Sequence, residues 1–349
     1  MGEISFRIST YNECKNDLLA FRNANRDSIV DLDYFEWRYL ERPCDFKPII
    51  IWAENQGGEK VGAVSIIPQY YSIDNIICPV GVIGDISVSK EWRRKGIARK
   101  MFIHLKELDN IEPVKLYFVL PNDSAGGVLK EAGWETVTKI DRYIKILRFE
   151  ERIAKIISVV LLRRILCFAL DRLAKTLSYE AICRKRHNYI WEVSENVDDR
   201  LSEFWNSLGK DGMIIGVRNE EHVRWRYLKH PEIKYYLFLL KDKGVVTGYI
   251  IYHFDEGNCY IADILSLNDG ESSGGLLSSF IQYIRKESKA SCITLKINKN
   301  SFGKLPLRKL GFIKRKDGQI VMAMLKEKEW KDYLAHGEKW YFTAGDKDV

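Results

Sequence analysis

Two rhythms of apolar residues organise this chain. A period of two over Ile4–Ile8 predicts a short opening strand, and helical spacing follows around Leu18–Phe21 and Tyr34–Leu40. Pro43 is a natural stop for the second helical stretch. Near-continuous apolar runs at Ile49–Ala53 and Gly62–Pro68, separated by the turn Asn55-Gln56-Gly57-Gly58, predict a pair of strands. A strand over Val82–Val88 feeds a helix starting near Gly96, which carries Ile97, Met101, Phe102 and Leu105 on one face. A strand at Val114–Leu120, a short helix around Ala125–Ala132 and a strand near Thr136–Leu147 complete the series.

The series then repeats. Trp37-Arg38-Tyr39-Leu40 with Pro43 reappears as Trp225-Arg226-Tyr227-Leu228 with Pro231. Further on, Asp85 pairs with Asp263, Gly96 with Gly274, Asn122 with Asn300 and Gly133 with Gly311, all at one constant spacing. That spacing is shorter than the one between the tryptophan segments, so the first copy carries about ten additional residues, placed after Tyr70. The second copy runs from about Tyr189 to Leu325. The expected organisation is a first α/β domain over 1–148, a helical linker over 149–188, a second α/β domain over 189–330 and a tail over 331–349. The recurring tryptophan segments read as core or interface aromatics, with Arg38 and Arg226 making structural hydrogen bonds.

Between the copies, Ile153–Arg186 is helical by pattern and mixes the apolar runs Ile156–Leu162 and Ile165–Leu170 with Arg163, Arg164, Arg172, Lys175, Arg184, Lys185 and Arg186. It reads as a linker packed across the two domains, or as an amphipathic helix in peripheral contact with an anionic membrane. The 349 residues, 46% hydrophobic and 30% charged, are enough for two cores. A net charge of +7 spread along the chain suits phosphorylated small molecules and argues against nucleic acid as partner. Seven dispersed cysteines without a CxxC, and six histidines apart from them, point to reduced thiols and no metal. No signal-like start and no run near the ~20 apolar residues of a membrane span is present, which leads us to expect a cytoplasmic protein.

The chemistry concentrates at Val88-Ser-Lys-Glu-Trp-Arg-Arg-Lys-Gly-Ile-Ala. Gly96 permits close backbone approach, and the free amides and dipole of a helix start attract negative charge. Arg93, Arg94 and Lys95 add cations, so a pyrophosphate is the natural guest. In the second copy, Glu271 and Ser273 stand where Arg93 and Lys95 stand in the first. An acid there would repel a pyrophosphate, and catalysis is expected to be lost.

The R-x-x-G-x-A turn between strand and helix resembles the acetyl-CoA signature of the GNAT N-acetyltransferase superfamily. Leu120-Pro121-Asn122 and Leu129-Lys130-Glu131-Ala132-Gly133-Trp134 continue the resemblance, which covers residues 4–148 well and the second copy more loosely. It implies two tandem GNAT-like domains, each a mixed, mostly antiparallel sheet flanked by helices, the second degenerate. It further implies acetyl-CoA as acyl donor, with Ile86 and Val88 as backbone partners of the pantetheine arm. The amides of Arg94 to Ala98, Ile97 among them, would hold the pyrophosphate, with Arg93 and Lys95 beside them, and Asn122 would sit near the thioester. The reaction implied is direct attack of a primary amine of a small molecule on the acetyl carbonyl. Asp85 is then a candidate base, although its recurrence as Asp263 equally suits a structural role. The family's tyrosine acid is replaced by Leu129, and Tyr117 and Tyr143 are possible substitutes. Two-copy members with W-R-Y-L segments resemble acetyltransferases of bacterial surface-polysaccharide pathways, which suggests an amino sugar as acceptor. The alternatives are an aminoacyl transferase of the peptidoglycan-bridge type and a non-catalytic acyl-CoA or membrane-surface protein.

Overall fold

The computed structural model describes residues 3–107, 114, 116–122, 125–154, 156–157, 159–176, 178–180, 189–267, 270–298, 305–325 and 336–347. Strand β1 (Ser5–Thr10) leads into α1 (Tyr11–Asn25) and α2 (Leu32–Tyr39). Asp31 caps α2, its carboxylate accepting from the Tyr34 amide at 2.9 Å. β2 (Ile49–Glu54), β3 (Lys60–Ile73) and β4 (Ile76–Val88) form an antiparallel meander with β1. α3 (Ile97–Glu107), β5 (Leu116–Val119), α4 (Ala125–Glu131) and β6 (Glu135–Ile146) follow.

The apolar runs of β2 and β3 do not alternate because both faces of the sheet are covered. Tyr11, Leu18, Phe35 and Trp37 of α1 and α2 pack on Trp52, Ala63 and Ile67 on one side. Ile97, Met101, Phe102 and Leu105 of α3 pack on Ile51, Val64 and Ile66 on the other, the face read from their helical spacing.

The linker contributes α5 (Glu150–Ala154) and α6 (Val160–Thr176); Arg184, Lys185 and Arg186 lie outside the described residues. The second half then repeats the pattern. It comprises β7 (Ile190–Ser194), α7 (Asp199–Ser207), β8 (Ile214–Gly216) and α8 (Glu220–Val223), which runs on into a π-helical turn over Arg224–Leu228. β9 (Tyr236–Asp242), β10 (Val245–Asp255), β11 (Asn258–Ser266), α9 (Gly270–Glu287) and β12 (Cys292–Asn298) follow, then β13 (Ile313–Lys314), β14 (Gln319–Leu325) and β15 (Trp340–Tyr341). In each half an antiparallel meander ends in a parallel pair, β4 with β5 and β11 with β12.

The halves share one sheet, in the order β1-β2-β3-β4-β5-β14-β6-β12-β11-β10-β9-β7. β14, from the end of the second half, lies between β5 and β6 of the first. β6 in turn runs antiparallel to β12, from Cys292↔Ile146 to Asn298↔Ile140. A boundary at residue 148 therefore divides the sequence but not the sheet. The two W-R-Y-L segments meet across a local pseudo-dyad. Trp37 Nε1 donates to the Trp225 carbonyl and Trp225 Nε1 to the Trp37 carbonyl, both at 2.8 Å, with the rings stacked at 5.6 Å. Five residues beyond each tryptophan, Arg42 lies over the Trp225 ring and His230 against that of Trp37. The extra residues after Tyr70 lengthen the β3–β4 hairpin, whose tip pairs with β8 (Tyr71↔Gly216 to Ile73↔Ile214).

Candidate functional site

The site begins with a disagreement between neighbouring strands. β5 runs parallel to β4 only at Gly81↔Tyr117 and Val82↔Phe118. β4 is also bulged, because Ser87 pairs with Ala63 and Gly84 with Ser65, leaving Asp85 and Ile86 opposite Val64 alone. Asp85 takes a left-handed conformation there (φ 46°), a strained geometry for a residue with a side chain. Among the described residues, the edge of β4 facing β5 has no strand partner beyond Val82, and it borders a groove of about 1070 Å³. The far wall is Val119, Leu120, Pro121 and Asn122, with Ala125 and Val128 of α4.

β4 hands over to α3 through a turn at Lys90–Trp92 and a loop in which Arg94 (φ 61°) and Gly96 (φ 74°) are both left-handed. A Cβ on Gly96 would meet nothing within 4 Å, so this corner is open. The first α-helical bond runs from the Lys100 amide to the Gly96 carbonyl at 3.0 Å. The amides of Ile97, Ala98 and Arg99 precede it, and as a helix's first donors they lack intrahelical acceptors. A groove ending on such a turn, with the helix dipole behind it, accommodates an elongated molecule carrying phosphates.

Ile86, Val88, Arg93, Arg94, Gly96, Ile97, Ala98 and Asn122 all line this groove, as does Asp85. Lys95 does not line it; its ammonium stands over the Trp92 ring, 4.7 Å from the centroid. Arg93 is tied into the protein, donating to the Asn25 carbonyl at 2.6 Å and the Val88 carbonyl at 3.3 Å, so it braces the loop. The Ile86 carbonyl accepts from Arg26 Nη2 at 3.0 Å. Asn122 accepts from the Ala125 amide at 3.0 Å and so caps α4. The groove also holds residues the sequence did not flag: Asn25 and Arg26 at the end of α1, Phe102, and from the far end of the chain Gln319 and Lys347. No local motif marks these, because β14 and the segment after β15 reach the groove only through the shared sheet.

Two residues expected to do chemistry stand elsewhere or are occupied. Asp85 is fully buried, with its carboxylate accepting from Arg22 Nε (3.1 Å), Arg38 Nη1 (3.0 Å) and the Tyr39 hydroxyl (2.6 Å). Burial pushes its pKa up, but Arg38, Arg26, the Tyr39 hydroxyl and Arg22 outweigh it and hold the carboxyl below its usual range. Such a group is a poor proton acceptor, and Asp85 reads as the anchor of the arginine cluster beneath the bulge. Tyr143 pairs with Leu295 on β12 and packs against the core of the second half, away from the groove. Tyr117 is buried under Gly81.

The corresponding corner of the second half is built differently. α9 starts at Gly270, so Gly274 lies inside the helix, and Ser273 Oγ is 2.8 Å from Ser266 Oγ. A Cβ on Gly275 would fall 2.5 Å from the Tyr189 ring, which covers that part of the helix. The opening beside β11 is filled by the chain itself. Thr343 bridges to Ile297, and the Thr343 hydroxyl donates to Asp263 at 2.8 Å. Asp346 pairs with Arg218, and Arg226 Nε donates to the Gly345 carbonyl at 3.0 Å. Asp263 is as buried as Asp85 and pairs with Arg218 at 3.0 Å. The stretch expected as a tail thus supplies Trp340, Tyr341 and Phe342 to the core. Among the described residues no group of His, Cys, Asp and Glu is placed to hold a metal ion.

Residues 14–137 match the acetyltransferase (GNAT) domain, a family of acyltransferases that use acyl-CoA donors. No curated protein is significantly similar in sequence. Among solved structures, a GCN5-related N-acetyltransferase from Anabaena variabilis superposes with a TM-score of 0.62 at 14% identity, covering 92% of this chain and 73% of its own. A GCN5-related N-acetyltransferase from Kribbella flavida gives 0.60 at 14% identity over 93% and 71%. The N-myristoyltransferase of Saccharomyces cerevisiae, solved with bound myristoyl-CoA, gives 0.52 at 11% identity over 92% and 82%. At these identities the likeness is one of fold.

Proposed function

We propose that the protein transfers an acetyl group from acetyl-CoA to a primary amine of a small molecule, with an amino sugar of surface-polysaccharide assembly as the first acceptor to test. The observation that carries this reading is the edge of β4 beyond Val82, which no described strand covers and which leads straight into the open corner at Gly96. In it, the pantetheine arm adds to that edge as an extra strand, and the free amides at the head of α3 hold the pyrophosphate. The amine nitrogen attacks the acetyl carbonyl carbon, forming the new C–N bond and a tetrahedral oxyanion. The C–S bond then breaks, the sulfur leaves with its electron pair and takes up a proton, and the nitrogen releases one. Holding amine and thioester together in the groove supplies much of the rate. The same reading takes 1–148 and 189–330 as duplicated GNAT-like units joined by 149–188, of which the first keeps the cofactor site. The tail over 331–349 then belongs functionally to the groove through Lys347.

Calorimetry with acetyl-CoA tests the reading. The native chain is expected to bind and to gain thermal stability, and Arg94→Glu with Gly96→Glu to do neither, since two carboxylates then face the diphosphate. Equal binding by both proteins would end it. A thiol-release screen across amino sugars, polyamines and peptides, repeated with longer acyl-CoAs, then fixes acceptor and acyl chain.

A further inference from the structure

Helix α6 is amphipathic the wrong way round for a protein in water alone. Cys167 and Leu170 face the protein. Leu161, Leu162, Ile165, Leu166, Phe168 and Leu173 recur at helical spacing on the outward side. Leu161 is 71% exposed, Phe168 69% and Ile165 60%, and Ile156 just before the helix is 83% exposed. Single exposed apolar residues need no explanation, but a contiguous apolar face of this length marks a contact surface.

The charges say what the contact is. Arg164 and Lys175 lie along one flank of this face and Arg172 rises within it, all three exposed. The only acid of the helix, Asp171, is turned inward, where it accepts from the Phe149 amide at 3.1 Å. A second copy of the chain laid on this face would bring cations against cations. A bilayer surface with anionic headgroups takes the apolar side chains into its acyl boundary and meets the cations with phosphates and carboxylates. Among the described residues no helix is long and apolar enough to cross a membrane, so the contact is one of lying on the surface.

We propose that the outward face of α6 docks the protein on an anionic membrane, with Leu161, Ile165 and Phe168 inserted and Arg164, Arg172 and Lys175 on the headgroups. The test is co-sedimentation of the full chain with phosphatidylcholine vesicles, with and without phosphatidylserine. Retention is expected on the mixed vesicles, at least about tenfold weaker on neutral ones, and reduced by salt. Leu161→Glu with Phe168→Glu should abolish retention. Arg164→Glu with Lys175→Glu should remove the preference for anionic lipid. All four side chains are exposed, so an unchanged melting temperature serves as the folding control. Equal retention on neutral and anionic vesicles, retention that survives Leu161→Glu with Phe168→Glu, or no retention at all overturns the proposal. A dimer in sedimentation velocity that Leu161→Glu dissolves, with no vesicle binding, assigns the face to a second copy instead.

Discussion

Replacing Asp85 by Asn separates an anchor from a general base. The carboxylate neutralises Arg22 and Arg38, which are 7% and 2% exposed, and partly Arg26, which is 33% exposed and able to turn to water. Removing one partner of a buried ion pair costs roughly 3–5 kcal/mol because the remaining charge stays desolvated. Asn keeps one acceptor oxygen for Arg38 or Tyr39, so we expect about 3 kcal/mol, equivalent to a fall of about 4 °C in melting temperature for a chain of this size. The pH dependence follows in sign. The folded pKa lies below the usual 3.8, so the carboxylate stabilises the fold above that value and the benefit fades as pH falls through the folded pKa. Urea unfolding followed by tryptophan fluorescence should therefore show a gap between native and Asp85→Asn proteins at neutral pH that narrows in acid. Asp263→Asn should cost a similar amount, because Arg218 is equally buried, while leaving acyl-CoA binding intact. An Asp85→Asn protein as stable as the native one, with turnover down more than about hundredfold and its acid limb gone from the pH profile, would restore Asp85 as the base.

Tyr143→Phe should leave turnover within about twofold of native, since the ring packs on the second half and a lost general acid typically costs at least about a hundredfold. Trp37→Phe and Trp225→Phe each remove one of the two reciprocal hydrogen bonds and should cost about 1–2 kcal/mol in urea unfolding. The double variant should fall short of the sum by at least about 0.5 kcal/mol, because both bonds belong to one pseudo-symmetric contact; strict additivity would show that the two are independent. Residues 1–148 expressed alone lack β14 and leave β5 and β6 with bare edges, so this fragment should aggregate more than the full chain at equal concentration, as light scattering would show. A monodisperse, folded fragment would refute a structural need for the shared strand.

What the sequence reveals and what it hides follow from how far apart the interacting residues lie. The strand–loop–helix unit around Gly96 is local: its left-handed glycine, its cations and the apolar face of α3 sit within about four helical turns, so pattern alone places them. The repeat exposes the Trp37–Trp225 contact, because a segment kept in both halves is free to meet its own copy across a dyad. Long-range pairing leaves no such trace. Nothing in Gln319–Leu325 distinguishes a strand that closes its own half from one that enters the other, since either slot needs the same apolar run. The role of Asp85 was undecidable for the same reason: its arginines come from positions 22, 26 and 38, brought together only by the fold. A signal was present for the last segment, where Trp340, Tyr341 and Phe342 are consecutive, a density of aromatics that a solvated tail does not carry.

The exchange of strands also bears on why one chain carries two halves and one open groove. In the first half the gap between the diverging strands is an open groove, and in the second the chain's own segment through Thr343 and Asp346 enters it. That segment ends at the first groove, which Lys347 lines together with Gln319 from β14. The second half therefore does more than brace the first. It supplies a strand to the sheet beside β5 and two polar side chains to the groove, so a substitution in its core that shifts β14 or the 340–347 segment acts on the site directly. A remote defect of that kind should raise the KM for the acceptor before it alters binding of the phosphate end at Gly96, because that end is built wholly from the first half.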